Sequence, residues 1–252
     1  MEWYLYIAVV AAGFAAGFIN TLAGSGSLIT LPLLIFCGLP ATVANGTNRV
    51  AILLQNVVGV SSFGQQKILS VRRGLILAVP AAMGAIAGAY IAVDIDEQMM
   101  RQVIGILMVV MLAVVIIRPR RWLEGRPDQG SSRVTTFQIL TFFAIGAYGG
   151  FIQAGVGIFL LAGLVLSAGF DLVRANAVKV LIVLLFTIFA LVVFVMNDQV
   201  NWLVGLVLAV GNMSGAFVAS RMAVKRGAKF VRWLLIAVLV ISAAVLLGAI
   251  RI

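Results

Sequence analysis

The chain has 252 residues, no histidine and one cysteine, Cys37. Without histidine there is no imidazole to bind a metal or relay a proton. A single cysteine excludes an internal disulfide and a cysteine zinc cluster. Charge is also scarce: Asp and Glu number eight, and charged residues make up 10% of the chain. Every carboxylate falls between apolar runs or at their ends. None stands at the middle of a run, where an acidic proton carrier would sit. No metal or other cofactor is expected. What remains is apolar, with 63% hydrophobic residues and a mean hydropathy of +1.17.

The apolar residues form long uncharged runs at 44–63, 74–93, 99–117, 175–196, 202–220 and 233–250. Runs of about 20 residues are the length of a membrane-crossing helix. They do not alternate apolar with polar residues, which excludes a β-barrel. The net charge of +10 comes from Lys and Arg between the runs. That distribution is the positive-inside pattern of a membrane protein, not a nucleic-acid footprint. The N-terminus, Met-Glu-Trp-Tyr, lacks the basic n-region of a cleaved leader and reads as a retained membrane segment.

Two uncharged stretches, 3–38 and 134–169, are too long for one crossing and too short for two with a turn. The first contains "GFINTLAGSGSLITLPLL". Asn, Thr, Ser and three glycines in its middle break an otherwise apolar helix. Each stretch therefore reads as a helix that enters, breaks and returns.

The stretches head two similar halves. An offset of 131 brings Gly26 onto Gly157, Gly38 onto Gly169, Asn45 onto Asn176, and Gly84 onto Gly215. "GFIN" at 17–20 matches "GFIQ" at 150–153, with a two-residue gap after it. With both stretches returning to their starting side, fifteen of the eighteen Lys and Arg fall on one face, the cytoplasmic one. The expected fold is thus an all-α polytopic membrane protein of two inverted repeats. Each repeat is a broken, re-entrant helical hairpin plus three transmembrane helices, eight hydrophobic segments in all. Residues 1–117 form the first repeat, 118–133 a cytoplasmic linker and 134–252 the second repeat. Inverted repeats with broken helices are a transporter architecture.

The breaks are the candidate site. Irregular backbone at membrane depth persists where it lines a hydrated cavity. The first tip offers Asn20, Ser25, Gly26 and Ser27, with glycines that permit a positive φ and close approach. The arm after it presents free N–H groups and the positive end of a helix dipole, which suits an anion. The second tip offers Gln153 and Gly157. Asn45 and Asn176 fit either helix N-caps or site residues. Asn48 aligns with Lys179. Arg49 and Lys179 each lie about a turn inside a helix, where a cation either snorkels to headgroups or lines an anion path. The glycine pairs Gly13/Gly17, Gly84/Gly88 and Gly211/Gly215 read as helix-packing positions.

The segment "GFINTLAGSGSLITLPLLIFCGLPATVANGTNRVAILLQN" resembles the opening of the TauE/SafE sulfite-exporter family, and the resemblance continues through the degenerate second copy. It implies a bacterial inner-membrane carrier for a small sulfur-containing or organic anion such as sulfite, sulfoacetate or thiosulfate, with Asn20, Ser25, Asn45, Asn48 and Arg49 near its path. The expected partners are that anion, the lipid bilayer and, through backbone carbonyls and Asn, a coupling cation such as sodium. Two other readings stay open at this stage: an anion channel, and an intramembrane enzyme pairing Ser25 or Ser27 with Lys179.

Overall fold

The computed structural model describes the backbone of residues 3–117 and 134–246, and side chains within 6–110 and 134–226. The linker at 118–133 lies outside the described residues. Nine helices run through the described parts: α1 (Trp3–Ala23), α2 (Ser27–Phe36), α3 (Ala41–Gln65), α4 (Val71–Val93), α5 (Glu97–Ile117), α6 (Thr136–Phe151), α7 (Val156–Leu166), α8 (Leu172–Met196) and α9 (Trp202–Leu246). Among the described residues there is no strand. Among the described residues, four segments are long and apolar enough to cross a membrane: Tyr6–Ala23, Val71–Val93, Leu172–Met196 and Trp202–Arg226. α3 has the length, but its buried Asn45, Asn48, Arg49, Gln55 and Asn56 lower its hydropathy. It is an interior helix rather than a lipid-facing one.

Both long stretches break where expected, and both fold back. The peptide after Ala23 reverses so that Gly26 packs against the Ala16 carbonyl, more than two turns back along α1. In the second hairpin the Tyr148 and Phe159 rings meet edge-to-face at 5.4 Å. Nearer its open end, Gln138 Nε2 donates to the Ser167 carbonyl at 2.6 Å. A Thr135/Gln138 capping box starts α6.

Helix boundaries recur at the offset of 131. α3 and α8 both start and end in register, and so do the starts of α4 and α9. The left-handed turn positions recur as well. Gly24 (φ +79°) matches Gly155 (+71°), Gly38 (+93°) matches Gly169 (+72°), and Lys67 (+56°) matches Asp198 (+54°). Those six are the positive-φ residues among the described ones.

Helix packing crosses between the halves. α1 lies on α9, and α6 lies on α4. Small residues allow this approach. A Cβ on Gly13 would stand 2.8 Å from the Leu208 carbonyl, and one on Gly17 would strike the Asn212 backbone. Gly211 and Gly215 meet the carbonyls of Val10 and Phe14. In the other pair, Gly84 and Gly88 meet those of Phe143 and Ala147, while Gly146 and Gly150 meet those of Ala81 and Ala85. The helices α3 and α8 sit between these pairs and carry most of the buried polar groups.

One expectation changes. The sequence suggests separate helices at 202–220 and 233–250 joined by a basic loop. Instead α9 continues through 221–232. The segment "RMAVKRGAKFVR" is charged, but Arg, Met, Ala and Lys are good helix formers and it contains no proline. Residues 247–250 lie outside the described residues.

The helix starts at equivalent places are capped differently. Asp171 caps α8, its carboxylate accepting from the N–H groups of Val173 (2.9 Å) and Arg174 (3.0 Å). The equivalent residue before α3 is Pro40, which has no side-chain acceptor. Glu97, at the start of α5, supplies the carboxylate instead, accepting from Ala41 N at 2.7 Å and Thr42 N at 3.2 Å. Asn45 and Asn176 are consequently not N-caps; each lies one turn inside its helix.

Candidate functional site

The two hairpin tips meet in the interior. Gly24 and Gly157 pack backbone to backbone, so that a Cβ on either would enter the other. Gly24 also needs its positive φ, which a residue with a side chain reaches at a cost of about 1–2 kcal/mol. Gly26 was expected to share that conformation, but its φ is −58°. Its lack of a side chain matters for a different reason: a Cβ there would strike the Ala16 carbonyl and come within 2.6 Å of Asn20 Cβ.

Four helix ends converge on this point: the C-termini of α1 and α6 and the N-termini of α2 and α7. The C-terminal ends carry partial negative charge, and the N-terminal ends partial positive charge. The two kinds of end are treated differently.

The C-terminal ends are covered by the two buried cations. Arg49 of α3 donates to the carbonyls at the end of α6: Nη1 to Gly149 at 3.1 Å, Nη2 to Gly150 at 2.5 Å and to Phe151 at 3.3 Å. Asn45 Nδ2 adds a bond to the Phe151 carbonyl at 2.9 Å. The guanidinium also lies 4.4 Å from the centroid of the Phe194 ring. Lys179 of α8 does the same for α1, donating to the carbonyls of Asn20 (2.9 Å) and Thr21 (2.8 Å) and to Asn176 Oδ1 (2.8 Å). Each cation therefore reaches out of its own half to close the broken helix of the other. Arg49 is 0% exposed and Lys179 2%, so neither snorkels to the surface.

The N-terminal ends carry no such cover. Neither α2 nor α7 has a side-chain cap. At the start of α2, Thr30 Oγ1 donates to Asn48 Oδ1 (2.7 Å), and Asn48 Nδ2 donates to Ser27 Oγ (3.2 Å). That chain spends the Ser27 oxygen as an acceptor and leaves its hydroxyl proton to be donated. Ser25 Oγ is buried and has no partner. The tip thus holds two hydroxyl donors beside the positive end of α2, whose Leu28, Ile29 and Thr30 N–H groups bond back to the Ser25 and Gly26 carbonyls, with no carboxylate among the described buried residues. At offset 131, Val156, Ile158 and Leu161 replace Ser25, Ser27 and Thr30. The second tip has the helix end without the hydroxyls.

The remaining sequence candidates are drawn into different contacts. Asn20 Nδ2 donates to Gln55 Oε1 at 3.3 Å, and Asn212 Nδ2 donates to the same oxygen at 3.3 Å. Gln153 Nε2 donates to Thr187 Oγ1 at 2.6 Å, away from the hydroxyl cluster, while its Oε1 stays unpartnered. Sequence reasoning overlooked Thr30. Its signal was its place three residues after Ser27, on the same face of a short helix.

Comparison with known proteins follows the same lines. A family model described as sulfite exporter TauE/SafE matches residues 9–246. The probable membrane transporter protein ORF9 of a Sinorhizobium species is 31% identical over 250 residues, covering 98% of this chain and 94% of that protein. The probable membrane transporter protein YfcA of Escherichia coli K12 is 27% identical over 232 residues, 92% and 86% of the two chains. A probable membrane transporter protein of Haemophilus influenzae is 26% identical over 220 residues, 87% and 86%. No solved structure matches.

Proposed function

We propose, because the chain belongs to the sulfite exporter TauE/SafE family and is a multi-pass bacterial membrane transporter, that it is a secondary carrier for a small sulfur-containing or organic anion. The anion binds at the first hairpin tip. It accepts hydrogen bonds from the N–H groups of the turn Ser25–Ser27 that opens α2 and from the hydroxyls of Ser25 and Ser27. Transport proceeds by alternating access between two inverted repeats, outward across the inner membrane. An inside-negative potential favours that direction by about 2.3 kcal/mol per charge per 100 mV.

The observation that carries this reading is the contrast between helix ends. The two negative ends at the tips are covered by Arg49 and Lys179, and the positive end of α2 is left open beside an unpartnered Ser25 hydroxyl. An anion entering there meets donors only. The recurrence of turn positions and helix boundaries at one offset supports the duplication, and the crossed packing of α1 on α9 and α6 on α4 supports a paired arrangement of the halves. Nothing favours Ser25 with Lys179 as a hydrolytic pair, because Lys179 Nζ donates all three of its hydrogen bonds elsewhere.

The test is thermal stabilisation of the purified protein by sulfite, sulfoacetate or thiosulfate, with sulfate and acetate for comparison. A ligand at 100 times its Kd adds about 2.7 kcal/mol. Ser25→Ala and Ser27→Ala should weaken that stabilisation and leave the ligand-free protein intact. Equal stabilisation of wild type and both variants would remove the tip from the site. Saturable, steeply temperature-dependent flux in proteoliposomes identifies a carrier; flux that does not saturate identifies a channel.

A further inference from the structure

The two buried cations close equivalent helix ends, but they are not chemically equivalent. An arginine holds its proton throughout the range in which a protein stays folded, whereas a lysine amine can release one. The first half therefore has a permanent cover on α6, and the second half has a cover on α1 that depends on a proton.

The geometry around Lys179 is specific to the ammonium form. Three N–H groups meet three acceptors: the Asn20 and Thr21 carbonyls and Asn176 Oδ1, all at 2.8–2.9 Å. A neutral amine has two N–H groups and would turn a lone pair toward the third acceptor. Two of those acceptors belong to the last turn of α1, which runs directly into the tip at Gly24–Ser27. The proton on Lys179 and the anion at the tip are joined by one short piece of backbone.

No acidic group balances the charge. α8 packs against α1, α3, α4, α6, α7 and α9, and the described parts of those helices contain no Asp or Glu. Their cations are engaged elsewhere or exposed. Arg49 on α3 bonds to α6, Arg73 on α4 donates to the Ala168 carbonyl, and Arg221 on α9 stacks on Phe217. Arg72, in the first turn of α4, is exposed, and so are Lys225 and Arg226 in the middle of α9. Of the tyrosines, Tyr148 on α6 donates to the Ala154 carbonyl, Tyr90 on α4 is 52% exposed, and Tyr6 lies in the first turns of α1. On α8 itself, Asp171 and Arg174 pair with each other at the N-terminal end. A buried ammonium without a counter-ion is an expensive charge. The one charge of opposite sign that the Proposed function brings to this place is the substrate.

We propose that Lys179 carries the coupling proton of this transporter: the anion binds at the first tip as the Lys179 amine takes up a proton, and anion and proton cross together. The amine gains H⁺ from water on the loading side and returns it to water on the release side, so no other reactant is required. Protonated Lys179 fastens α1 to α8 while the anion is aboard; loss of the proton frees the tip after release. A monoanion then crosses without net charge, so the coupling cancels the push that the membrane potential gives an uncoupled anion, and the direction is left to the anion and pH gradients; a dianion keeps one net charge and part of that push. This inference rests on the anion reading of the first tip.

The experiment counts protons. Full-length protein in weakly buffered detergent solution with a pH-indicator dye receives thiosulfate, the anion of a strong acid, which takes up no proton itself near neutral pH. Between pH 6 and 10 the wild type should take up a fraction of a proton per thiosulfate bound, the fraction varying with pH and never exceeding one. Lys179→Arg should bind thiosulfate with no uptake. Binding by the wild type with no uptake at any pH overturns the proposal, and so does equal uptake by K179R. The wild-type count requires no variant to fold. If thermal shifts show that none of sulfite, sulfoacetate or thiosulfate binds, the anion reading fails first. The ligand-free proteins then decide the Lys179 question: a pH dependence of the unfolding midpoint that is lost in K179R supports a releasable proton at Lys179, and superimposed curves overturn it.

Discussion

The contact between the tips can be tested with glycine-to-alanine changes that separate two effects the structure combines at Gly24. One is conformational: Gly24 has φ +79°, which an alanine adopts at about 1–2 kcal/mol. The other is steric: its Cβ would enter the Gly157 backbone, with the Gly157 carbonyl oxygen 2.8 Å away. Overpacking of this kind costs about 1–3 kcal/mol when the neighbour cannot move aside. Gly24→Ala should therefore destabilise by about 2–5 kcal/mol. Gly157→Ala meets the same contact from the helical side, its Cβ 2.9 Å from the Gly24 carbonyl, and should lose only the steric part, about 1–3 kcal/mol. Gly38→Ala has the strained φ of +93° with nothing within 4 Å, so it should lose only the conformational part, about 1–2 kcal/mol. Gly64, near the end of α3, is also open to 4 Å and lacks a positive φ. Alanine there should be neutral or gain up to about 1 kcal/mol. The assay is the unfolding midpoint in detergent, where 1 kcal/mol moves a chain of this size by roughly 2–4 °C. The order of midpoints should be Gly64→Ala highest, then Gly38→Ala, with Gly24→Ala lowest. A Gly24→Ala protein melting no lower than Gly38→Ala, or a harmless Gly157→Ala, would refute a tight contact between the tips. Because the two tip glycines share one contact, the double variant should lose less than the two single losses combined.

Other residues carry separable expectations. Arg49→Gln strands the Gly149 and Gly150 carbonyls at the end of α6, Phe151 keeping its bond from Asn45, and should cost about 2–6 kcal/mol, while Arg49→Lys keeps the charge and should cost clearly less; unfolding midpoints distinguish the two. Glu97→Gln weakens the borrowed cap of α3 and should cost about 0.5–2 kcal/mol. Pro40→Asp in that background should recover most of the loss, because Asp171 caps α8 from the same place. For topology, Gln65→Cys and Asn197→Cys on a Cys37→Ala background flank equivalent turns, and inverted halves require that they label from opposite sides of the membrane. Labelling from one side would end the inverted arrangement.

The breaks in the hairpins were legible because a break leaves a chemical trace. Glycine, serine and asparagine within an apolar run make a poor helix, and Gly24-Ser25-Gly26-Ser27 stands out against its neighbours. The packing glycines were legible for a related reason, since Gly13/Gly17 and Gly211/Gly215 repeat every four residues on one face. The partners of Arg49 and Lys179 were not. Apart from Asn45 and Asn176 on the cations' own helices, they lie 100 to 159 residues away in the chain and are main-chain carbonyls, which no side chain announces. A buried cation in a sequence without buried acids suggests a ligand, and here the first ligand is a helix end. The same limit hid the continuity of α9. A cluster of Lys and Arg reads as a loop by its charge, although its residues favour helix. Glu97 was within reach, since Pro40 stands where Asp171 does at offset 131. A proline at a capping position signals that the carboxylate comes from another part of the chain.

The offset of 131 makes these differences intelligible as divisions of labour. In the second half one residue, Lys179, both occupies the position of Asn48 and closes the opposite hairpin. In the first half the tasks are split: Asn48 holds Ser27 and Thr30, and its neighbour Arg49 closes α6. With Arg49 at the cap, Asn48 is left to organise hydroxyls at the start of α2. The second tip, whose equivalent residue stayed committed to the cap, has Val156, Ile158 and Leu161 in their place. The two hairpins thus give one tip with hydroxyls and one without. A carrier of this construction should bind one anion per chain rather than two. Equilibrium dialysis with labelled thiosulfate should give one site per chain in the wild type, and none once Ser25 and Ser27 are both alanine. Two equivalent sites, or one site that survives the double change, would move the anion to the other tip and reverse this assignment.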